Sequence, residues 1–142
     1  MGWGVAVHWK VDSESRLFEA VCDGLVEASE IHQMLDALVG SDALGYRKFF
    51  DGSRADTNLG PLDVLSIGVR LRSMHEPGIE LGPLAVVIPA NKYKLLSRVL
   101  GILAAARRPM RIFDDPGKAR QWLALGHRDR VVKSKLPRQM TR

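Results

Sequence analysis

One run of five apolar residues, Leu84-Ala-Val-Val-Ile88, constrains the fold more than any other feature of the chain. A continuously apolar strand is typical of a sheet that is covered on both faces, because alternation with polar residues is kept only where one face meets water. Helical patterns stand on either side of this run, at residues 61–74 and 92–106. Strands that alternate with helices predict an α/β domain whose later strands are parallel.

Local patterns place the remaining elements. We predict further strands at residues 4–11, 16–22, 46–50 and 110–113, and further helices at residues 29–40 and 116–125. The short polar connection at residues 12–15 favours an antiparallel hairpin between the first two strands, and the pair Asp23-Gly24 is expected to end the second. The predicted order is β-β-α-β-α-β-α-β-α, in a five-stranded mixed sheet.

The composition is that of one soluble globular domain. Of the 142 residues, 46% are hydrophobic and 26% are charged, which is ordinary for a folded chain. No apolar run approaches the ~20 residues that a membrane-spanning helix needs. The single cysteine, Cys22, excludes an internal disulfide and a Cys-rich zinc site, and we expect it to be a small buried hydrophobe. Together these features predict a cytoplasmic protein.

The net charge of +5 belongs to the end of the chain. Residues 127–142 hold six Lys and Arg side chains against the single acid Asp129, whereas residues 1–126 are electrically balanced. We therefore predict a domain over residues 1–126 and a basic, flexible tail over residues 127–142. The tail has no aromatic side chain to stack on bases, so no specific contact with nucleic acid is predicted.

Three segments of the chain carry a resemblance to a known family. They are Asp-Gly-Leu-Val-Glu-Ala-Ser-Glu-Ile at residues 23–31, Phe-Phe-Asp-Gly-Ser at residues 49–53, and a final strand and helix with the pattern Phe-Asp…Ala…Trp-Leu within residues 110–123. In this order and spacing, the chain resembles the SpoIIAA-like family of the broader STAS-like group, over roughly residues 4–125.

The resemblance implies a fold and a class of function. The fold would be a five-stranded sheet with helices, in a cytoplasmic bacterial protein. Better-known members of the wider group act as anti-sigma-factor antagonists, which are regulated by phosphorylation of a serine just after the third strand. The fold also resembles that of Sec14-type lipid carriers, and fold alone does not decide between such functions.

A polar segment after the predicted third strand is the candidate regulatory loop. Its side chains are those of Asp51, Ser53, Arg54, Asp56 and Thr57. Ser53 is the nearest match to the regulatory serine, and a phosphate there could meet the N–H groups of the next helix. The neighbouring sequence Asp-Gly-Ser-Arg departs from the antagonist signature, which has paired hydroxyl residues followed by glycine. The alternative is that Ser53 and Thr57 only satisfy local backbone groups.

Little in the sequence indicates catalysis. Asp51 and Asp56 could form an acid/base pair or bind a metal, but no histidine or cysteine stands near them, so no metal and no cofactor is predicted. The strand-end Asp51 more simply caps its loop or pairs with Arg54. The histidines are scattered without ligand spacing, and His32 is expected beside the apolar face of its helix.

The helix at residues 61–74 has two apolar sides. Leu62, Leu65 and Val69 form one, and Val64, Ile67 and Leu71 the other. One side is expected to pack on the sheet, which leaves the second for a dimer contact or a ligand pocket. We predict a non-enzymatic regulatory module that binds a protein partner, including a second copy of itself. The alternative is a carrier that holds an apolar, lipid-like ligand between the helices at residues 61–74 and 92–106.

Overall fold

The protein is described by a computed structural model over residues 6–74, 81–106 and 110–135. It is an α/β domain with one five-stranded mixed sheet, whose strands lie in the spatial order β1-β2-β3-β4-β5. The strands are β1 Val7–Asp12, β2 Leu17–Val26, β3 Arg47–Thr57, β4 Leu84–Val87 and β5 Arg111–Phe113. β1 and β2 are antiparallel and the later pairs are parallel, as the sequence predicted.

Four helices alternate with the later strands. They are α1 Ala28–Gly40, α2 Pro61–Ser73, α3 Tyr93–Ala106 and α4 Pro116–Lys135. Local sequence explains where two of these helices begin. Pro61 takes the first position of α2, where its missing N–H costs no hydrogen bond. At α1, Glu30 reaches back to the N–H of Glu27 and closes a capping box. The predicted order of elements is confirmed.

The two faces of the sheet are covered by different helices. On one face, side chains of α1, α2 and α3 form the larger core with residues such as Phe18 and Val86. On the other, Ala119 and Leu123 of α4 pack against Phe49, Ala85 and Val87. Successive residues of β4 thus enter opposite cores, which explains why the run at residues 84–88 is apolar throughout.

Three predicted boundaries are wrong. β2 does not end at Asp23-Gly24 but continues to Val26, with Gly24 at a φ of +99°. β3 continues through the predicted loop to Thr57. α4 extends to Lys135 rather than ending at Leu125, so helix enters the segment that was predicted to be a flexible tail. Residues 136–142 lie outside the described part of the chain, and so do residues 4 and 5 at the predicted start of the first strand. The division of the chain into a domain and a tail at residue 126 stays a prediction.

Candidate functional site

The polar segment singled out in the sequence lies within β3, in a part of the strand that projects beyond β4. The pairing of β3 with β4 ends at Asp51 and Val87, whereas its pairing with β2 continues to Thr57. A register shift interrupts the β2–β3 ladder between Val21 and Asp23, where β3 contains one extra residue. Gly52 sits at this bulge, and a Cβ there would lie 2.9 Å from the carbonyl oxygen of Val87. The segment is therefore a bulged strand and not a loop.

Asp51 and Ser53 are joined to each other across this bulge. One carboxylate oxygen of Asp51 accepts hydrogen bonds from the backbone N–H of Ser53, at 3.0 Å, and from its hydroxyl. α2 begins at Pro61, as predicted, but β3 continues to Thr57, so Ser53 lies inside the strand and away from the first N–H groups of that helix. A phosphate on Ser53 would meet the Asp51 carboxylate at close range and would repel it.

The other residues of the predicted site also have local contacts. Arg54 pairs with Asp23 of β2 at 3.3 Å, and both side chains are exposed. Asp56 pairs with Lys92 at 3.0 Å, just before α3. Thr57 is buried, and its hydroxyl oxygen accepts a hydrogen bond from the N–H of Leu59. These contacts secure the projecting strand. Of the two roles predicted for Asp51, the contact with the local backbone is present, at the N–H of Ser53, and Arg54 pairs with Asp23 instead.

Cys22 lies in the core beside the bulge, as predicted for a small hydrophobe. Burial raises the pKa of its thiol to about 12, and the negative charges of Asp51 and Glu30 add to the rise. The group is therefore a thiol, not a thiolate, at neutral pH. Among the described residues, no three His, Cys, Asp or Glu side chains converge as metal ligands would.

A cleft lies where β3 ends against the start of α3. Its volume is about 300 Å³, and its lining includes Asp56, Thr57, Lys92 and Lys94. The first N–H groups of a helix and two lysines make this region electropositive, and Asp56 offsets part of that charge. The sequence did not single out this cleft, because Asp56 is distant in sequence from Lys92 and Lys94 and lies near them only in the folded chain.

A separate apolar cavity lies between the sheet and the first three helices. Its volume is about 110 Å³. The described residues that line it are Phe18, Ala20, Ile31, Met34, Leu35, Leu38, Lys48, Phe49, Phe50, Ile67, Leu71, Leu84, Val86, Val99, Ile102 and Met110. The lining of this space is therefore almost wholly apolar among the described residues.

Among the described residues of that lining, Lys48 alone is charged, and it is only 4% exposed. Its ammonium donates to the carbonyl oxygens of Leu44 at 2.6 Å, Tyr46 at 2.9 Å and Gly82 at 3.3 Å. The segments approach so closely here that a Cβ on Gly82 would lie 2.1 Å from the Tyr46 oxygen. Lys48 thus joins the turn before β3 to the segment before β4. A lysine in a strand gives no signal of burial in the sequence, so this role was missed.

The cavity is not where the sequence placed a ligand pocket. A pocket was predicted between the helices at residues 61–74 and 92–106, but α2 and α3 contact each other directly. A Cβ on Gly68 would lie 2.4 Å from the Cβ of Ala105, and one on Gly101 would lie 2.9 Å from Val64. The two glycines let the helices pack closely, and the cavity lies beneath them against the sheet.

The outer face of α2, which consists of Leu62, Leu65 and Val69, is open to solvent. These side chains are 81%, 52% and 51% exposed. The opposite side of the helix buries Ile67 and Leu71, so the two apolar sides predicted from the sequence differ in environment as expected. Because Leu62, Leu65 and Val69 recur at spacings of three and four, they form one stripe along the helix.

Comparison with protein-family models and with curated proteins gave no match. Within the described part of the chain, each helix is too short or too polar to span a bilayer.

Proposed function

We propose that this chain is a small, non-enzymatic, cytoplasmic regulatory module of the SpoIIAA-like kind, which binds a protein partner through the outer face of α2. The observation that carries the proposal is the exposed stripe of Leu62, Leu65 and Val69. An apolar stripe on an otherwise well-packed helix is costly to leave in water and is typical of a contact surface. The order of elements and the three segments that resemble the family support the same class.

The stripe is well placed for a partner. α2 packs tightly against α3, where Gly68 lies in close contact with Ala105. It is held from the side by Arg70, which donates to the backbone oxygen of His32 at 3.0 Å and pairs with Asp36 of α1. The surface is therefore presented on a rigid helix, which lowers the ordering cost of binding. We include a second copy of the chain among its partners.

Site-specific photocrosslinking in the cells that make the protein tests this surface. A photoreactive benzoylphenylalanine at Leu65 should give a protein adduct, and the same group at Leu125 of α4 serves as the control, because Leu125 is exposed to the same degree, 53%. An adduct of twice the chain mass would identify self-association, and a different mass another protein. Absence of any adduct at Leu65 would contradict the proposal.

A regulatory role for Asp51, Ser53, Arg54, Asp56 and Thr57 is part of the proposal. Ser53 is the only hydroxyl of this set that is partly exposed, since Thr57 is buried. Phosphorylation there would replace the hydrogen bond to Asp51 by repulsion between like charges and would loosen the bulge. Incubation with a partner kinase followed by phosphosite mapping tests this role. An unmodified Ser53 and Thr57 would remove it.

A second candidate function is carriage of an apolar ligand, and the cavity between the sheet and the helices favours it. The part of its lining that the structure describes is apolar apart from Lys48, as expected of a ligand pocket in which few polar groups are present. Native mass spectrometry of protein purified from its source should reveal a co-purifying small molecule if the protein is a carrier. A single species at the mass of the chain would count against it.

A further inference from the structure

We infer that the cavity between the sheet and α1, α2 and α3 binds one small, uncharged, apolar molecule of about the size of a single six-membered ring. This inference rests on the carrier function proposed above and names its ligand class. It does not depend on the outer face of α2, so the two proposals can fail separately.

The size of the ligand follows from the volume. The cavity holds about 110 Å³. An apolar protein cavity of about 150 Å³ is known to stay dry and to bind benzene or xenon, whereas pockets for drug-sized molecules begin at about 300 Å³. A ligand that fits without moving a helix is therefore no larger than a small ring or a short aliphatic chain. A long acyl chain does not fit.

The chemistry of the ligand follows from the lining. Apart from Lys48, each described lining residue is apolar, so a charged molecule would lose its hydration with little to replace it. The ammonium of Lys48 donates to three backbone carbonyl oxygens, and this geometry directs it toward the backbone. The site therefore selects a neutral molecule.

Methyl NMR provides a direct test, because the five isoleucines in the described part of the chain divide into two groups. Ile31, Ile67 and Ile102 line the cavity, whereas Ile88 and Ile112 belong to the same core without lining it. Titration of the full chain with benzene should shift the first three methyl signals in a saturable way and leave the other two nearly unchanged. Benzoate, which has the same ring and a negative charge, should shift none of them.

A variant that fills the cavity should weaken binding, and the same substitution in the opposite core is its matched control. Ala20 lines the cavity and Ala85 is buried in the opposite core. Ala20→Val should weaken the benzene response at least tenfold, and Ala85→Val should leave its affinity within about twofold of the wild type. If Ala20→Val does not fold, Val99→Leu, on the helix side of the same cavity, replaces it.

Three results would overturn the inference: no saturable shift with benzene, equal shifts at the lining and non-lining isoleucines, or tighter binding of benzoate than of benzene. None of them bears on crosslinking at Leu65. A co-purifying molecule of lipid size would preserve the carrier function and overturn the inferred limit of a single ring.

Discussion

Lys48 shows how a single buried charge can organise a fold. An ammonium group removed from water is stable only if its donors find acceptors, and three backbone carbonyl oxygens are among the acceptors of Lys48. Because those oxygens belong to the turn before β3 and to the segment before β4, one side chain fixes the entry of two neighbouring strands.

Replacement of Lys48 by methionine should destabilise the protein. Methionine preserves most of the volume, but it leaves the carbonyl oxygens of Leu44 and Tyr46 without this donor in a buried place. We expect a loss of about 2–4 kcal/mol in the free energy of unfolding, measured by urea denaturation. Lys10→Met, at a lysine whose side chain is 78% exposed, should change it by less than about 0.5 kcal/mol. Equal stability of the two variants would refute this role of Lys48.

The raised pKa of the Cys22 thiol gives a second prediction at this scale. Because the folded pKa, about 12, lies above the ordinary value of 9.0, the folded state holds its proton more tightly than the unfolded state does. Its contribution to stability is complete below pH 9 and is lost as the pH rises from 9 towards 12, by up to about 1.4 kcal/mol per pH unit. Urea titrations across this range should show a shallower decline for Cys22→Ala than for the wild type. Parallel declines would contradict the prediction.

At the scale of elements, the sequence predicts features that depend on local patterns and misses features that depend on the pairing of strands distant in sequence. The apolar periodicity of α1 gives its buried face correctly. The extension of β3 was missed because Asp51, Gly52 and Asp56 are poor strand formers by propensity. They are strand residues here because β2 continues beside them to Val26 and supplies the backbone partners. A register shift between two strands depends on contacts distant in sequence, and no local pattern reveals it.

The close contact of α2 and α3 depends on glycine. Gly68→Ala would gain helix propensity of about 1 kcal/mol, but its Cβ would lie 2.4 Å from that of Ala105. We expect a net loss of about 1–3 kcal/mol in thermal or urea unfolding. The added change Ala105→Gly should recover part of this loss by removing the opposing methyl group. Gly40→Ala, where the new Cβ meets nothing within 4 Å, serves as the control. A Gly68→Ala protein as stable as the control would show that the helices can separate at no cost.

At the scale of the whole molecule, the division of helices between the two faces follows from topology. β2, β3, β4 and β5 are parallel neighbours in chain order, and parallel crossovers are right-handed. Three successive steps in one direction therefore place α1, α2 and α3 on the same face, and α4 covers the other. The element order needed for this argument was predicted from the sequence. The cavity could not be predicted, because it depends on how completely side chains from six elements fill one layer.

The two faces should respond oppositely to the same substitution. Ala20 and Ala85 are both fully buried in neighbouring parts of the sheet, but only Ala20 borders the cavity. Ala20→Val places two more carbons in empty space and should stabilise the protein by about 0.5–1.5 kcal/mol. Ala85→Val forces the same carbons into the packed core beneath α4 and should destabilise it by about 1–3 kcal/mol. Urea unfolding of both variants, without added ligand, measures the difference. Destabilisation by both would mean that the space beside Ala20 cannot accept a methyl group, and a ring-sized ligand would then require a helix to move.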